Sequence, residues 1–388
     1  MSKIVFFSIP AYGHTNPTVE VVRELTSRGH QVWYYTFSMF QERLEQAGAR
    51  TFCCDDYLPP KTPDTDKKIG KDFAALIEMA ADTTINLDQK VCMELEEIKP
   101  DCIVSDSLCF WGKLFAKKLH IPYICSTTSF AFNQFTAKLM KRSISEIVRM
   151  LFGMPRINQK IQNLQANGYA VKSFIDIVQN DNETNTIVYT SKEFQPLSDT
   201  FSDRYAFVGP ALPKLSNEQN KKYSVYISLG TVNNRNRQFY QNCMKALKDS
   251  NRNVLISIGE NTKISDFGEI PKHITIKNSV NQIEILSHAE VFLTHGGMNS
   301  VNESLYFGVP MVLFPQQSEQ GLVARRTAVL GAGILLNNSR PRSIQKALYQ
   351  ILGNSSYKGH AKQLSDGLHH AGGAAAAADF ILNLINEA

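Results

Sequence analysis

What this 388-residue chain lacks removes several classes of function. No stretch approaches the ~20 consecutive apolar residues that a membrane-spanning helix needs. The opening "MSKIVFFSIPAYGHTNP" places a lysine before an apolar run, as a secretion signal would. That run is short, no small-residue cleavage site follows, and "GHTNP" interrupts it, so no leader is expected. The seven cysteines (positions 53, 54, 92, 102, 109, 125 and 243) form no CxxC pair and show no zinc spacing. Mostly isolated within apolar runs, they read as reduced, buried thiols of a cytoplasmic protein. An excess of one charge is also missing. The 41 Lys and Arg residues exceed the 36 Asp and Glu residues by five and are scattered, which is far from a nucleic-acid stripe. What remains is 43% hydrophobic and 20% charged, the composition of a soluble globular protein long enough for two domains.

Along the first half, short apolar runs alternate with helical patterns. "KIVFFSI" (3–9), "HQVWYYT" (30–36), "RTFCC" (50–54), "DCIVSD" (101–106) and "PYICST" (122–127) read as strands, with helices over 16–28, 39–47, 69–98 and 110–119. Near-continuous apolar strands between helices predict a parallel sheet covered on both faces. Residues 133–180 are helical and basic, with Lys138, Lys141, Arg142, Arg149, Arg156, Lys160 and Lys172 between 137 and 172 against Glu146 alone. Such a segment can be a solvated helical face, a lid over a substrate, or a membrane-surface patch. The strands "TIVYTS" (186–191) and "YAFVGP" (205–210) follow.

"PALPKLSNEQNKK" (210–222) has two prolines and no apolar periodicity and reads as a linker. The pattern then restarts with strands at 224–231, 253–259, 274–279, 291–296, 310–315 and 333–336 and helices at 236–250, 281–288, 299–307, 319–330 and 341–352. The expected domains are 1–209 and 223–370. A closing helix within 371–388 is expected to pack on the first, and its alanine run (374–378) reads as a bare surface patch. Two doubly wound halves gather ligands beyond the carboxyl ends of their strands, so an interdomain cleft is expected.

The chemistry-bearing residues fall at those strand ends. His14 follows the first strand, in what reads as a loop, where an imidazole can take a proton from a hydroxyl or simply bond the backbone. Asp106 ends another strand and can orient that imidazole or begin the next helix as its cap. Asp101 lies at the wrong edge. In the second half, "SLGT" (228–231) offers Gly230 and Thr231, and "THGGMNS" (294–300) offers two glycines ahead of a helix. Glycines admit a phosphate to the backbone, and a helix N-terminus supplies N–H groups and positive potential. His295 adds a donor, and Glu303 is placed to accept from both hydroxyls of a ribose. The pattern lacks G-x-G-x-x-G, which disfavours NAD or FAD. Glu319 and Gln320 follow the next strand and could read sugar hydroxyls.

"HGGMNSVNESLYFGVPMVLFPQQSEQ", with "GHTNP" and "SLGT" in support, resembles the donor signature of the family 1 UDP-glycosyltransferases. Bacterial macrolide- and flavonoid-type enzymes are the nearest likeness, which runs over essentially the whole chain. The resemblance implies a GT-B fold, two Rossmann-like domains facing across a cleft. It also implies His14 as general base and Asp106 as its partner. Thr231, His295, Gly297, Asn299 and Ser300, with Met298 between them, are implied to lie at or near the diphosphate. Glu303 matches the ribose binder, and Glu319 with Gln320 the pair that binds the sugar. Where the family usually carries Trp-x-Pro-Gln, this chain has Ser279-Val280-Asn281-Gln282. Serine removes an aromatic platform for the base, while Val280 keeps its backbone for pairing and Gln282 keeps its place.

The implied reaction is inverting transfer of a sugar, glucose in first place, from a UDP-sugar to a hydroxyl of a small lipophilic acceptor such as a flavonoid, polyphenol or macrolide. Phe110, Trp111, Phe130 and Phe132 are candidates to line an acceptor site together with the 55–85 region. No cofactor, essential metal or nucleic-acid partner is expected, and the chain is expected to be a monomer. Transfer to a membrane-lipid or cell-wall acceptor is an alternative that only the basic 133–172 stretch supports. A non-catalytic nucleotide-sugar-binding protein is another, resting only on the absent tryptophan.

Overall fold

The computed structural model describes residues 1–57, 72–136, 144–178, 182–215, 222–231 and 234–387, without the side chains of 144–147. Lys138, Lys141 and Arg142, residues 58–71 and residues 216–221 of the linker lie outside the described residues.

Two compact units emerge. One comprises Met1–Tyr189, Leu197–Ala211 and Ala374–Ala388, and the other Thr190–Pro196 and Leu212–Gly373. The first holds a parallel sheet of β1 (Lys3–Phe7), β2 (Gln31–Thr36), β3 (Arg50–Cys53), β4 (Cys102–Asp106), β5 (Tyr123–Thr127), β6 (Thr186–Val188) and β7 (Tyr205–Phe207), in the order β3-β2-β1-β4-β5-β6-β7. Helices α1 (Tyr12–Ser27), α2 (Ser38–Gln46), α3 (Phe73–Ile98), α4 (Phe110–Lys118), α5 (Ile144–Ala166) and α6 (Phe174–Val178) belong to it. Ile4, Val5, Phe6 and Phe7 of β1 are all at most 2% exposed, as a central strand covered on both faces requires.

The basic segment finds its counter-charges on the neighbouring helix. Helix α3 begins where the Asp72 carboxylate accepts from the Ala74 N–H at 3.0 Å. It ends at Lys99 in the left-handed region, before Pro100. Arg156 Nη2 lies 2.7 Å from Asp72 and Nη1 3.3 Å from Glu78, while Lys160 Nζ lies 2.5 Å from Asp82. The Arg156 guanidinium holds the Asp72 carboxyl below its usual range. These two cations of the stretch are therefore helix–helix partners.

The second unit has a sheet of β8 (Val225–Ser228), β9 (Val254–Ser257), β10 (Ile274–Lys277), β11 (Val291–Thr294), β12 (Met311–Leu313) and β13 (Gly333–Leu335), in the order β10-β9-β8-β11-β12-β13. Its helices are α7 (Arg237–Leu247), α8 (Gln282–Leu286), α9 (Met298–Tyr306), α10 (Ser318–Val329), α11 (Pro341–Gly353) and α12 (Ser355–His370). No sequence pattern predicted α12. Its two glycines, three serines and three histidines weaken propensity, yet Ala361, Leu364 and Leu368 give it one buried stripe. Both sheets follow the doubly wound order, in which neighbouring strands leave in opposite directions beside the first strand of each unit.

The last helix, α13 (Gly373–Glu387), closes the core of the first unit. Ala377, Ala378 and Ile381 are fully buried, and Arg28, just past the end of α1, holds Asp379 at 2.5 Å. The alanine run is therefore not a bare surface patch: of its five side chains only that of Ala375 is exposed, and the others pack on that core.

Candidate active site

In the first unit, the two strands flanking the reversal of strand order are β1 and β4, and their carboxyl ends deliver His14 and Asp106. His14 stands in the first turn of α1, not in a loop. The chain turns directly into the helix at Ala11, whose carbonyl accepts from the N–H groups of His14 and Thr15 at 3.0 Å each. His14 Nδ1 lies 2.7 Å from Asp106 Oδ2, and Asp106 is 2% exposed. A carboxylate only accepts, so Nδ1 carries the proton and Nε2 is the basic nitrogen. The other carboxylate oxygen accepts from the Leu108 N–H at 2.9 Å. That bond closes a turn ahead of α4, whose N-cap position is Cys109, so of the two jobs open to Asp106 in the sequence the carboxylate meets the imidazole and does not cap the helix. Thr128, just past β5, brings Oγ1 to 3.3 Å from His14 Nδ1. The sequence reading missed it, and its signal was a hydroxyl pair at the end of a third apolar strand.

The second unit repeats the arrangement with other chemistry. The reversal lies between β8 and β11, whose ends deliver Gly230 and His295. Gly230 has φ +76°, and a Cβ on it would stand 2.6 Å from the His295 ring. A Cβ on Gly297 would stand 2.4 Å from the same ring. The imidazole is thus seated between two glycines. Burial lowers its pKa to about 4, so His295 is a neutral hydrogen-bonding group at pH 7. Gly297 is the N-cap of α9 and has no side chain to accept from the first turn, where Met298, Asn299 and Ser300 follow. The Met298 side chain is buried, so its contribution is through the backbone.

Glu303 sits one turn further and is held by Gln282 at the start of α8. Gln282 Nε2 donates to Glu303 Oε2 at 2.5 Å and to Ser300 Oγ at 3.2 Å, and its Oε1 accepts from the Tyr226 hydroxyl at 3.1 Å. Burial pushes the Tyr226 hydroxyl far above its ordinary pKa, which keeps it a donor. Ser279 is exposed, Val280 half-buried and Thr231 exposed, all at the same sheet edge. Glu319 is exposed in the first turn of α10. Gln320 differs from expectation. It is 9% exposed, and its Oε1 accepts from the Gln316 N–H at 2.9 Å, a reach-back that steadies its own loop.

Three aromatic candidates need correction. Phe110 and Trp111 are 5% and 3% exposed and belong to the core of the first unit, because the first turn of α4 faces the sheet. They leave no open ring for an acceptor. Phe130 is likewise buried, and of the four only Phe132 is partly exposed. Tyr12 and Leu108, each two residues from His14 or Asp106, and Phe135, in the segment after β5, are 40–43% exposed. No helix among the described residues is long and apolar enough to cross a membrane.

Known proteins resemble the chain over essentially its whole length. Residues 241–375 match the Erythromycin biosynthesis protein CIII-like, C-terminal domain family. The chain is 30% identical to the uncharacterized UDP-glucosyltransferase YojK of Bacillus subtilis, over 100% of this chain and 98% of that protein. It is 32% identical to the NDP-glycosyltransferase YjiC of the same organism, over 97% of this chain and 95% of the relative. Among solved structures, the glycotransferase of kitacinnamycin superposes with a TM-score of 0.84 at 24% identity, covering 99% of this chain and 98% of that one. Taken with the two doubly wound units and the residues at their strand ends, these likenesses make the chain a GT-B enzyme belonging to the family 1 UDP-glycosyltransferases.

Proposed function

We propose that the chain transfers glucose, with inversion, from UDP-glucose to a hydroxyl of a small lipophilic acceptor such as a flavonoid, polyphenol or macrolide. The observation that carries this reading is the 2.7 Å contact between His14 Nδ1 and the buried Asp106 carboxylate. It directs Nε2 to take the acceptor proton as the acceptor oxygen bonds to the anomeric carbon. The bond from that carbon to the diphosphate breaks on the opposite face. Asp106 stabilises the imidazolium that forms.

On the donor side, neutral His295, the glycine-lined turn at Gly230 and the N-terminus of α9 offer N–H groups to the leaving diphosphate. We read Thr231, Gly297, Asn299 and Ser300 as its neighbours, Glu303 as the ribose acceptor, and Glu319 with Gln320 as the sugar readers. Gln320 must turn from Gln316 to do so. The names of the two Bacillus relatives support a nucleotide-diphosphate sugar. Peptide and imidazole donors stabilise the diphosphate charge by hydrogen bonding in this scheme, with no divalent ion invoked. Among acceptor candidates we retain Phe132 and add Tyr12, Leu108 and Phe135, which expose apolar surface.

The test is UDP release from UDP-glucose with a panel of flavonoids and macrolides, with and without lipid vesicles and with EDTA. Acceptor-dependent release that needs no vesicles and survives EDTA is the expected result. Release only with vesicles would assign a membrane-held acceptor, and no release from any nucleotide sugar would end the catalytic reading. Galactose, GlcNAc and deoxysugar donors in the same assay decide the sugar.

A further inference from the structure

Two asparagine amides, neither among the residues so far assigned to the donor, bind together the loops that leave β8, β9 and β10. Asn234 is 2% exposed, and its Nδ2 donates to the carbonyls of Gly230 at 3.0 Å and Thr231 at 3.3 Å. Its Oδ1 is buried with no hydrogen-bond partner. An unpaired buried carbonyl is destabilising, so the two N–H bonds, and not the oxygen, fix this side chain where it is.

The Asn234 amide lies against Gly259. Gly259 has φ +76°, and a Cβ there would come within 2.0 Å of Asn234 Nδ2. From its other side Gly259 is gripped by Asn278. The Gly259 N–H donates to the Asn278 main-chain carbonyl at 2.9 Å, and Asn278 Nδ2 returns a bond to the Gly259 carbonyl at 2.9 Å and to Thr262 O at 2.8 Å. Asn278 directly precedes Ser279 and Val280. A continuous path of amides and one glycine therefore joins the Gly230–Thr231 turn to the segment at Ser279.

We propose that Asn234 and Asn278 are positioning residues that act as one device through Gly259, fixing the spacing between the turn that takes the diphosphate and the segment that takes the nucleotide base. This rests on the donor reading given above. A ligand that spans both loops depends on that spacing, and the chemistry of bond breaking does not. The two asparagines should therefore govern the affinity for a nucleoside diphosphate and leave turnover at saturating donor intact. Because both act through the same glycine, losing the second should add little once the first is gone.

The experiment measures UDP affinity by calorimetry and steady-state kinetics for the full chain and for Asn234→Ala, Asn278→Ala and the double variant. Each single change should raise the UDP Kd and the donor KM by about tenfold, as expected for lost buried hydrogen bonds. Turnover at saturating donor and the acceptor KM should stay within about twofold, and the double variant should bind UDP no worse than about twofold below the weaker single variant. If Asn234→Ala does not fold, Asn234→Leu, which keeps the volume and removes the donors, replaces it. Unchanged UDP affinity, equal losses in turnover and affinity, or additive effects in the double variant would overturn the proposal. Failure of the wild-type chain itself to bind UDP would instead overturn the donor reading on which it rests.

Discussion

Gln282 Nε2 donates to Glu303 Oε2 at 2.5 Å, so the carboxylate assigned to the ribose is already oriented by the protein. The same amide is anchored through its Oε1 to the Tyr226 hydroxyl. Hydrogen bonds to a charged group contribute about 1.5–3 kcal/mol. Gln282→Leu should accordingly raise the donor KM about tenfold or more, with turnover at saturating donor retained. Glu303→Ala should produce a similar or larger loss. If donor affinity is unchanged in both, as judged by UDP titration, Glu303 does not bind the ribose.

His14→Ala removes the proposed base and should lower turnover by about 10²–10⁴ while UDP affinity stays close to that of the wild type. Asp106→Asn keeps the shape but permits the wrong imidazole tautomer, and should also fall by orders of magnitude. Near-wild-type turnover in His14→Ala would sink the assignment.

The seat of His295 carries a pH signature. Burial lowers its pKa to about 4 in the folded chain, from the 6.5 of an ordinary exposed imidazole. Between those values the unfolded chain binds more protons, so stability falls as pH falls. By linkage, about 2 kcal/mol should be lost between about pH 7.5 and about pH 5 on account of this one group. Urea unfolding of the wild type and His295→Gln at both pH values measures the difference. The variant should lose correspondingly less, and equal losses would mean that His295 is not buried as described.

Gly230→Ala adds a Cβ that would meet the His295 ring at 2.6 Å, at a backbone φ of +76°. Strain and clash together should lower stability by roughly 1–3 kcal/mol and weaken donor binding, since the added methyl displaces the ring from its seat between two glycines. Intact UDP affinity in a folded Gly230→Ala protein would argue against His295 as a phosphate donor.

Trp111→Ala separates core from pocket. With 3% exposure in the core of the first unit, Trp111 should cost about 3–5 kcal/mol on truncation. Its effect on acceptor KM should be no different from its effect on donor KM. A selective loss of acceptor affinity in a stable variant would restore it to the acceptor site.

Strand ends were legible because apolar runs stop at polar residues, and that alone brought out His14, Asp106, Gly230 and His295. Their pairing was less so. That β1 lies beside β4, and β8 beside β11, follows from strand order, a long-range property that periodicity does not encode. The aromatic residues Phe110 and Trp111 were misread because a helix's first turn can face solvent or sheet with the same composition. Gln282 was recovered only through the family likeness, and Asn234 and Asn278 not at all. Single polar residues in loops carry no pattern, and their meaning here comes from carbonyls and a glycine on other strands. Helix α12 escaped for the opposite reason: its glycines and serines masked a buried stripe, and that helix packs chiefly against α9.

Helix α13 has a consequence for the order in which the chain can acquire its structure. The early part of the first unit, Met1–Tyr189 with Leu197–Ala211, ends at Ala211, and its remaining piece starts at Ala374. At a synthesis rate of ~5–20 residues per second, the ribosome needs on the order of ten to thirty seconds to make what lies between. During that interval the nascent first unit displays the apolar groove that Ala377, Ala378 and Ile381 later fill. The last helix is thus a keystone, set only after translation of the second unit is complete.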